Sequence, residues 1–179
     1  YIRDRLKGTR IKRHKILITG SEGFIGSAIT KRLLKKNYEI FGIGTKKRNI
    51  KKYKYFKIDI TKKNILEEFF KKNKFESIIH TAWITNPQTM RNSKLNESWL
   101  EISKKILNLH LKYNGKNFYC IGTSDEYYRK INQKNICIED KSKIINLNNY
   151  AKNKILFYKY LKNSKMNYVW FRVFWLFGN

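Results

Sequence analysis

With 179 residues, 41% of them hydrophobic and 15% aromatic, the chain can bury one good core and has room for little beyond a single domain. Its 40 Lys and Arg against 13 Asp and Glu give a formal net charge of +27, which raises nucleic acid or an anionic membrane as partners. The cations are spread through almost every segment, and no zinc-ligand spacing, RNA-binding aromatic signature or basic zipper accompanies them. A solvated lysine coat is therefore expected, with neither nucleic acid nor membrane as partner.

Residues 1–14 have no clear period and read as a basic lead-in, without the apolar stretch of a signal peptide. One domain is expected over residues 15–179. Lys15–Thr19 is an apolar run closed by glycine, and Ile25–Asn37 has helical spacing at Ile25, Ile29, Leu33 and Leu34. Tyr38–Gly44 and Tyr55–Ile60 read as strands, Ile65–Lys72 as a helix and Phe75–His80 as a strand. Leu95–Tyr113 is a long helix with a buried face, and Asn117–Ile121 is a strand. The polar, irregular stretch Arg129–Asn149 reads as an active-site loop. Tyr150–Leu161 is helical and Tyr168–Leu176 a strand. The most apolar stretch, Tyr168–Phe177, is too short to span a bilayer and carries Arg172 in its middle. Cys120 reads as a core residue, and with Cys137 it makes neither a disulfide framework nor a metal site. A reducing, cytoplasmic setting is expected. The chain opens on Tyr1 rather than Met and stops at Asn179 with no tail, so a fragment or processed chain is expected too.

Strands alternating with helices at this spacing predict an α/β fold, a Rossmann-type doubly wound parallel sheet whose ligands sit at the carboxyl ends of the strands. The strand-turn-helix that starts at Lys15 carries the sharpest signal. Gly20 allows the tight turn, Gly23 a close approach of backbone to a pyrophosphate, and Gly26 the packing of helix on strand. Ser21, Phe24 and Ile25 complete this turn, and the helix start faces the phosphates.

These residues resemble the T-G-x-x-G-x-x-G motif of the extended short-chain dehydrogenase/reductases, the NAD-dependent epimerase/dehydratase family, and the likeness runs from Lys15 to Gly178. The resemblance implies that Asp59, followed by Ile60, contacts the adenine. It also implies that Thr81, Ala82 and Trp83, in His80-Thr81-Ala82-Trp83, lie beside the cofactor, and that Asn96 supports the active site. NAD-preferring members usually carry an acid at the end of the second strand. Here Gly44 is followed by Thr45, Lys46, Lys47 and Arg48, so Thr45, Lys46 and Arg48 are expected to contact the cofactor, with NADP favoured over NAD.

Tyr150 and Lys154 fit Y-x-x-x-K, which puts both polar ends on one face of a helix. By the resemblance, Tyr150 is the acid/base, and Lys154 holds the nicotinamide ribose and helps to stabilise the phenolate. The third member, a hydroxyl in Gly122-Thr123-Ser124-Asp125-Glu126-Tyr127, is open between two registers. One makes Ser124 the hydroxyl and gives Asp125 and Glu126 elimination roles; the other makes it Thr123. Phe171-Arg172-Val173-Phe174-Trp175-Leu176-Phe177-Gly178 resembles the family's R-x-F-x-x-x-G-P stretch and implies that Arg172 serves the cofactor site. The resemblance implies a nucleotide-sugar epimerase, dehydratase or 4-reductase without a metal. Its C-terminal substrate-binding part is expected to be largely absent, and a homodimer through the Leu95 and Tyr150 helices is allowed. A catalytically incomplete NADP-binding module of the same fold is the alternative.

Overall fold

The computed structural model describes residues 13–46, 51–62, 64–84, 86–127, 137–139, 142, 144 and 148–178. Most of the basic lead-in, Arg48 and most of the Arg129–Asn149 loop lie outside the described residues. Six strands, β1 (His14–Thr19), β2 (Tyr38–Gly44), β3 (Lys54–Lys57), β4 (Ser77–His80), β5 (Asn117–Thr123) and β6 (Asn167–Val173), form one sheet. All neighbours run parallel, in the order β3-β2-β1-β4-β5-β6. The helices are α1 (Phe24–Leu33), α2 (Ile65–Lys72), α3 (Leu95–Lys112) and α4 (Asn149–Lys162). This is the doubly wound Rossmann arrangement, with helices on both faces.

The alternation of side chains along β1 explains the two layers. Leu17 points into one core and Ile16 and Ile18 into the other, so this central strand is apolar throughout. The smaller cluster holds Ile16, Ile18 and Ile40, with Ile29 and Leu33 of α1 packed on them. The larger one lies under α2, α3 and α4. It gathers Leu66, Phe69 and Phe70, Leu100, Ile106 and Leu107, and Phe157 and Leu161 on the other face of the sheet. Cys120 belongs to this core, and burial pushes its thiol up to about 12. No helix among the described residues is long and apolar enough to cross a membrane.

Two strands stop earlier than their hydrophobicity predicts, and β4 starts two residues later, at Ser77. β3 stops at Lys57, because the Asp59 carboxylate accepts from Thr61 N–H at 3.0 Å and Thr61 Oγ1 at 2.6 Å and turns the chain. β6 stops at Val173, and Phe174–Gly178 follow without regular structure, largely exposed.

Candidate active site

The strand order reverses at β1 and β4, and a cleft of about 440 Å³ opens beyond their carboxyl ends. Gly20 closes β1 with φ at +68°, a left-handed conformation that glycine alone adopts freely. Its carbonyl accepts the Gly23 N–H at 2.9 Å. A Cβ on Gly26 would stand 2.8 Å from the Gly20 carbonyl carbon and 2.9 Å from Thr81 Oγ1, so α1 can begin this close to the turn only with glycine there. The N-cap of α1 is Gly23, with no side-chain cap and no acid in the first turn. The first N–H groups and the positive end of the helix are left to face an anion. Such a cradle, which a Cβ would fill, fits the pyrophosphate of a dinucleotide.

The far wall hangs on a buried line of hydrogen bonds. Ser103 Oγ donates to the Trp99 carbonyl at 2.7 Å and so accepts from His80 Nε2 at 2.9 Å. His80 Nδ1 then accepts the Thr19 hydroxyl at 2.8 Å, and Thr19 Oγ1 accepts the Ala82 N–H at 3.2 Å. Burial, with the Lys154 charge adding, drives the His80 pKa down to about 3, which keeps this imidazole neutral. Through it the core fixes Thr81, Ala82 and Trp83 on the cleft. Trp83 is pinned further: its Nε1 donates to Asn96 Oδ1 at 2.8 Å, and Asn96 Nδ2 donates to the Met90 carbonyl at 2.6 Å.

Trp83 is also the border with a second group of side chains. Its ring meets Tyr150 edge-on at 6.3 Å, and Lys154 Nζ lies 3.9 Å above it. Asn148 caps α4 by accepting the Ala151 N–H at 2.8 Å, which sets the first turn where Tyr150 sits. One turn on, the buried Lys154 ammonium donates to the Ile121 carbonyl at 2.8 Å, tying α4 to the end of β5. The Thr123 side chain lies near enough to the Tyr150 hydroxyl to favour its phenolate. Burial, then the charge of Asp125, raises the Tyr150 hydroxyl above the ordinary phenol range. Burial lowers Lys154 to about 8.

The family model for the NAD dependent epimerase/dehydratase family matches residues 16–179. The chain belongs to this family. No curated protein sequence matches the chain. Among solved structures it is similar to the UDP-glucose 4-epimerase of Thermus thermophilus in complex with NAD. That match has a TM-score of 0.77 and 22% identity over 88% of this chain and 54% of that one. It is similar also to the Bordetella bronchiseptica enzyme WbmG in complex with NAD and UDP (TM-score 0.75, 22% identity, 89% and 53% covered). The Campylobacter jejuni UDP-Glc/GlcNAc 4-epimerase gives 0.74, with 20% identity over 89% and 53%. The chain thus spans about half the length of these structures.

In this family member, the cleft is lined by Gly20, Gly23, Phe24, Ile25, Gly26, Thr45, Lys46, Ile60, Thr81, Ala82 and Trp83, all expected there from sequence. Ser21 is fully buried beneath the turn, and Asp59 is bound into its own turn by Thr61, between the lining residues Ile58 and Ile60. Glu22, Ile43, Gly44, Ile58 and Trp99 also line it and were not expected. Glu22 was visible as the one acid inside the glycine motif; Trp99 comes from α3 and carries no local signal.

Two expected site residues have other tasks. Arg172 is not at the cleft: its Nε pairs with Glu126 Oε2 at 2.7 Å, the side chains being 5% and 0% exposed, and its Nη1 pairs with Glu139. Glu126 has no room for an elimination role. Its Oε1 accepts the Thr123 N–H at 2.9 Å, closing a capping box, and both oxygens accept from Trp170 Nε1 at 3.1 and 3.2 Å. The pair fastens the turn Ser124–Glu126 to β6. Asp125 stays beside Tyr150, held by Arg91 Nε and Asn148 Nδ2, each at 3.2 Å.

Proposed function

We propose that this domain binds a nicotinamide dinucleotide and acts in a nucleotide-sugar epimerase, dehydratase or 4-reductase, with Tyr150 as acid/base. One observation carries the reading: Tyr150 stands one aromatic ring, Trp83, away from the dinucleotide cleft, with the Lys154 ammonium 5.7 Å from its ring and Thr123 close by. A nicotinamide, when bound, supplies the hydride acceptor and a positive charge. Tyr150 exchanges a proton with the sugar hydroxyl whose carbon loses the hydride. Thr123 holds that oxygen in place, since its own Oγ1 is positioned by accepting the Asp125 N–H at 3.2 Å. This favours Thr123 over Ser124 as the hydroxyl of the site. Lys154, close enough to Tyr150 to place its charge 5.7 Å from the ring, orients the ribose. The phenol is protonated at neutral pH in this structure, so proton removal from substrate awaits added positive charge.

The similar solved structures include 4-epimerases of UDP-sugars and complexes with NAD. We take a UDP-sugar as the substrate to test first. In NAD-dependent turnover of UDP-glucose, Tyr150→Phe should lower kcat by about 10²- to 10⁴-fold while leaving dinucleotide affinity in place. Unchanged turnover would overturn the assignment, and dinucleotide binding without turnover of any nucleotide sugar by the unaltered protein would favour a non-catalytic module.

A further inference from the structure

The carboxyl end of β2 has no acid of its own; Gly44 is followed by Thr45 and the exposed Lys46. The fold delivers one from another element. Glu22, between Ser21 and Gly23 in the glycine turn, lines the same cleft as Gly44, Thr45 and Lys46. Its direction is set by packing. Ser21 lies over Gly42 of β2, with the Ser21 Cβ 2.9 Å from where a side chain on Gly42 would start, and the Tyr53 ring covers the same spot. This part of the turn therefore leans on β2, the side on which adenosine ribose sits in a Rossmann cleft. Tyr53, which precedes β3, donates its hydroxyl to the Glu22 carboxylate, and its oxygen meets the Ser21 hydroxyl at 3.3 Å. Burial, then the Glu22 bond, raises the Tyr53 hydroxyl above its ordinary range, so it remains a donor at any working pH. Glu22 is half-buried and clamped, whereas Lys46 is exposed and its carbonyl is engaged by the Tyr55 hydroxyl at 2.7 Å.

We propose that Glu22 replaces the missing strand-end acid, accepting hydrogen bonds from the adenosine ribose hydroxyls and repelling a 2′-phosphate, so that the site selects NAD over NADP. The proposal rests on the dinucleotide reading above. It reverses the preference that the cations after Gly44 led the sequence to favour. Its physical basis is charge: a 2′-phosphate carries roughly −1.5 to −2 at neutral pH. In a half-buried cleft a fixed carboxylate counts for more against it than a solvated lysine counts for it.

The test is calorimetric titration of the protein with NAD and with NADP, repeated on Glu22→Gln and Tyr53→Phe. The unaltered protein should bind NAD at least about 10-fold more tightly than NADP. Glu22→Gln should erase most of that ratio, chiefly by tightening NADP. Tyr53→Phe, which takes one partner from the carboxylate without removing its charge, should reduce the ratio by a smaller factor. NADP bound as tightly as NAD by the unaltered protein, or a ratio untouched by Glu22→Gln, would overturn the role of Glu22 while leaving dinucleotide binding intact. Binding of neither cofactor by the folded protein would overturn both.

Discussion

Around the glycine turn the cleft is shaped by main chain, and around Tyr150 it is shaped by buried side-chain charge. At Gly20–Gly26 the decisive groups are a left-handed φ, a carbonyl packed against a helix start and free N–H donors. None of these titrates, and almost any added atom harms them. At the other end Lys154 is held on a carbonyl, Glu126 on Arg172 and Asp125 on Arg91 and Asn148, all near one phenol. Groups of that kind can be retuned one at a time, at the risk of stranding a buried charge. The contrast teaches that one end fixes where a ligand lies, whereas the other fixes which proton moves.

The largest effect should come from the charged end. Glu126→Gln leaves the buried Arg172 with the exposed Glu139 as its remaining acidic partner and should cost about 3–5 kcal/mol, read from urea unfolding. Replacing both residues, Glu126→Gln with Arg172→Met, should cost less than the single change. If the single change costs nothing, the pair is not what fastens Ser124–Glu126 to β6. Next comes the backbone end. Gly26→Ala should weaken NAD binding by about 10- to 100-fold, a strain of about 1–3 kcal/mol, with little change in the Tyr150 surroundings. Equal affinity in that variant would mean that the turn can yield after all.

A third effect concerns the two buried histidines, His80 and His110. An unfolded chain takes up a proton on each His near pH 6.5, whereas burial keeps His80 neutral down to about 3 and His110 down to about 4. The unfolded state therefore binds more protons as the pH falls below 6.5. Stability should drop by ~1.4 kcal/mol per pH unit for each histidine down to about pH 4. Unfolding midpoints at pH 7 and pH 5 check this. A flat profile would show that the imidazoles become charged without leaving the core.

What the sequence made legible follows the same division. The element order, the sheet and the glycine positions came from period and turn chemistry, which act over a few residues. Thr123-x-x-Glu126 also has the spacing of a capping box, a local pattern that the motif resemblance overrode. The partner of that carboxylate, Arg172, lies 46 residues away and is brought to it by the pairing of β5 with β6, which no motif states. The position of Arg172 in a family-like stretch therefore pointed to the cofactor, and the fold turned it inward. Glu22 shows the same limit from the other side. The acid was in plain view, but Tyr53, the residue that aims it, is 31 positions on.

Trp83 has a consequence for observation. Its indole lies 3.9 Å beneath the Lys154 ammonium and is stacked on Trp99 at 6.3 Å, and both rings line the cleft. The other two tryptophans stand apart from it, Trp170 against Glu126 and Trp175 exposed beyond β6. Tryptophan emission is thus split between a pair that feels the cleft and a pair that does not. A ligand entering beside Trp99 and a proton leaving Lys154 near pH 8 both alter the light from one ring, so the domain has a built-in fluorescent gauge of occupancy and of charge.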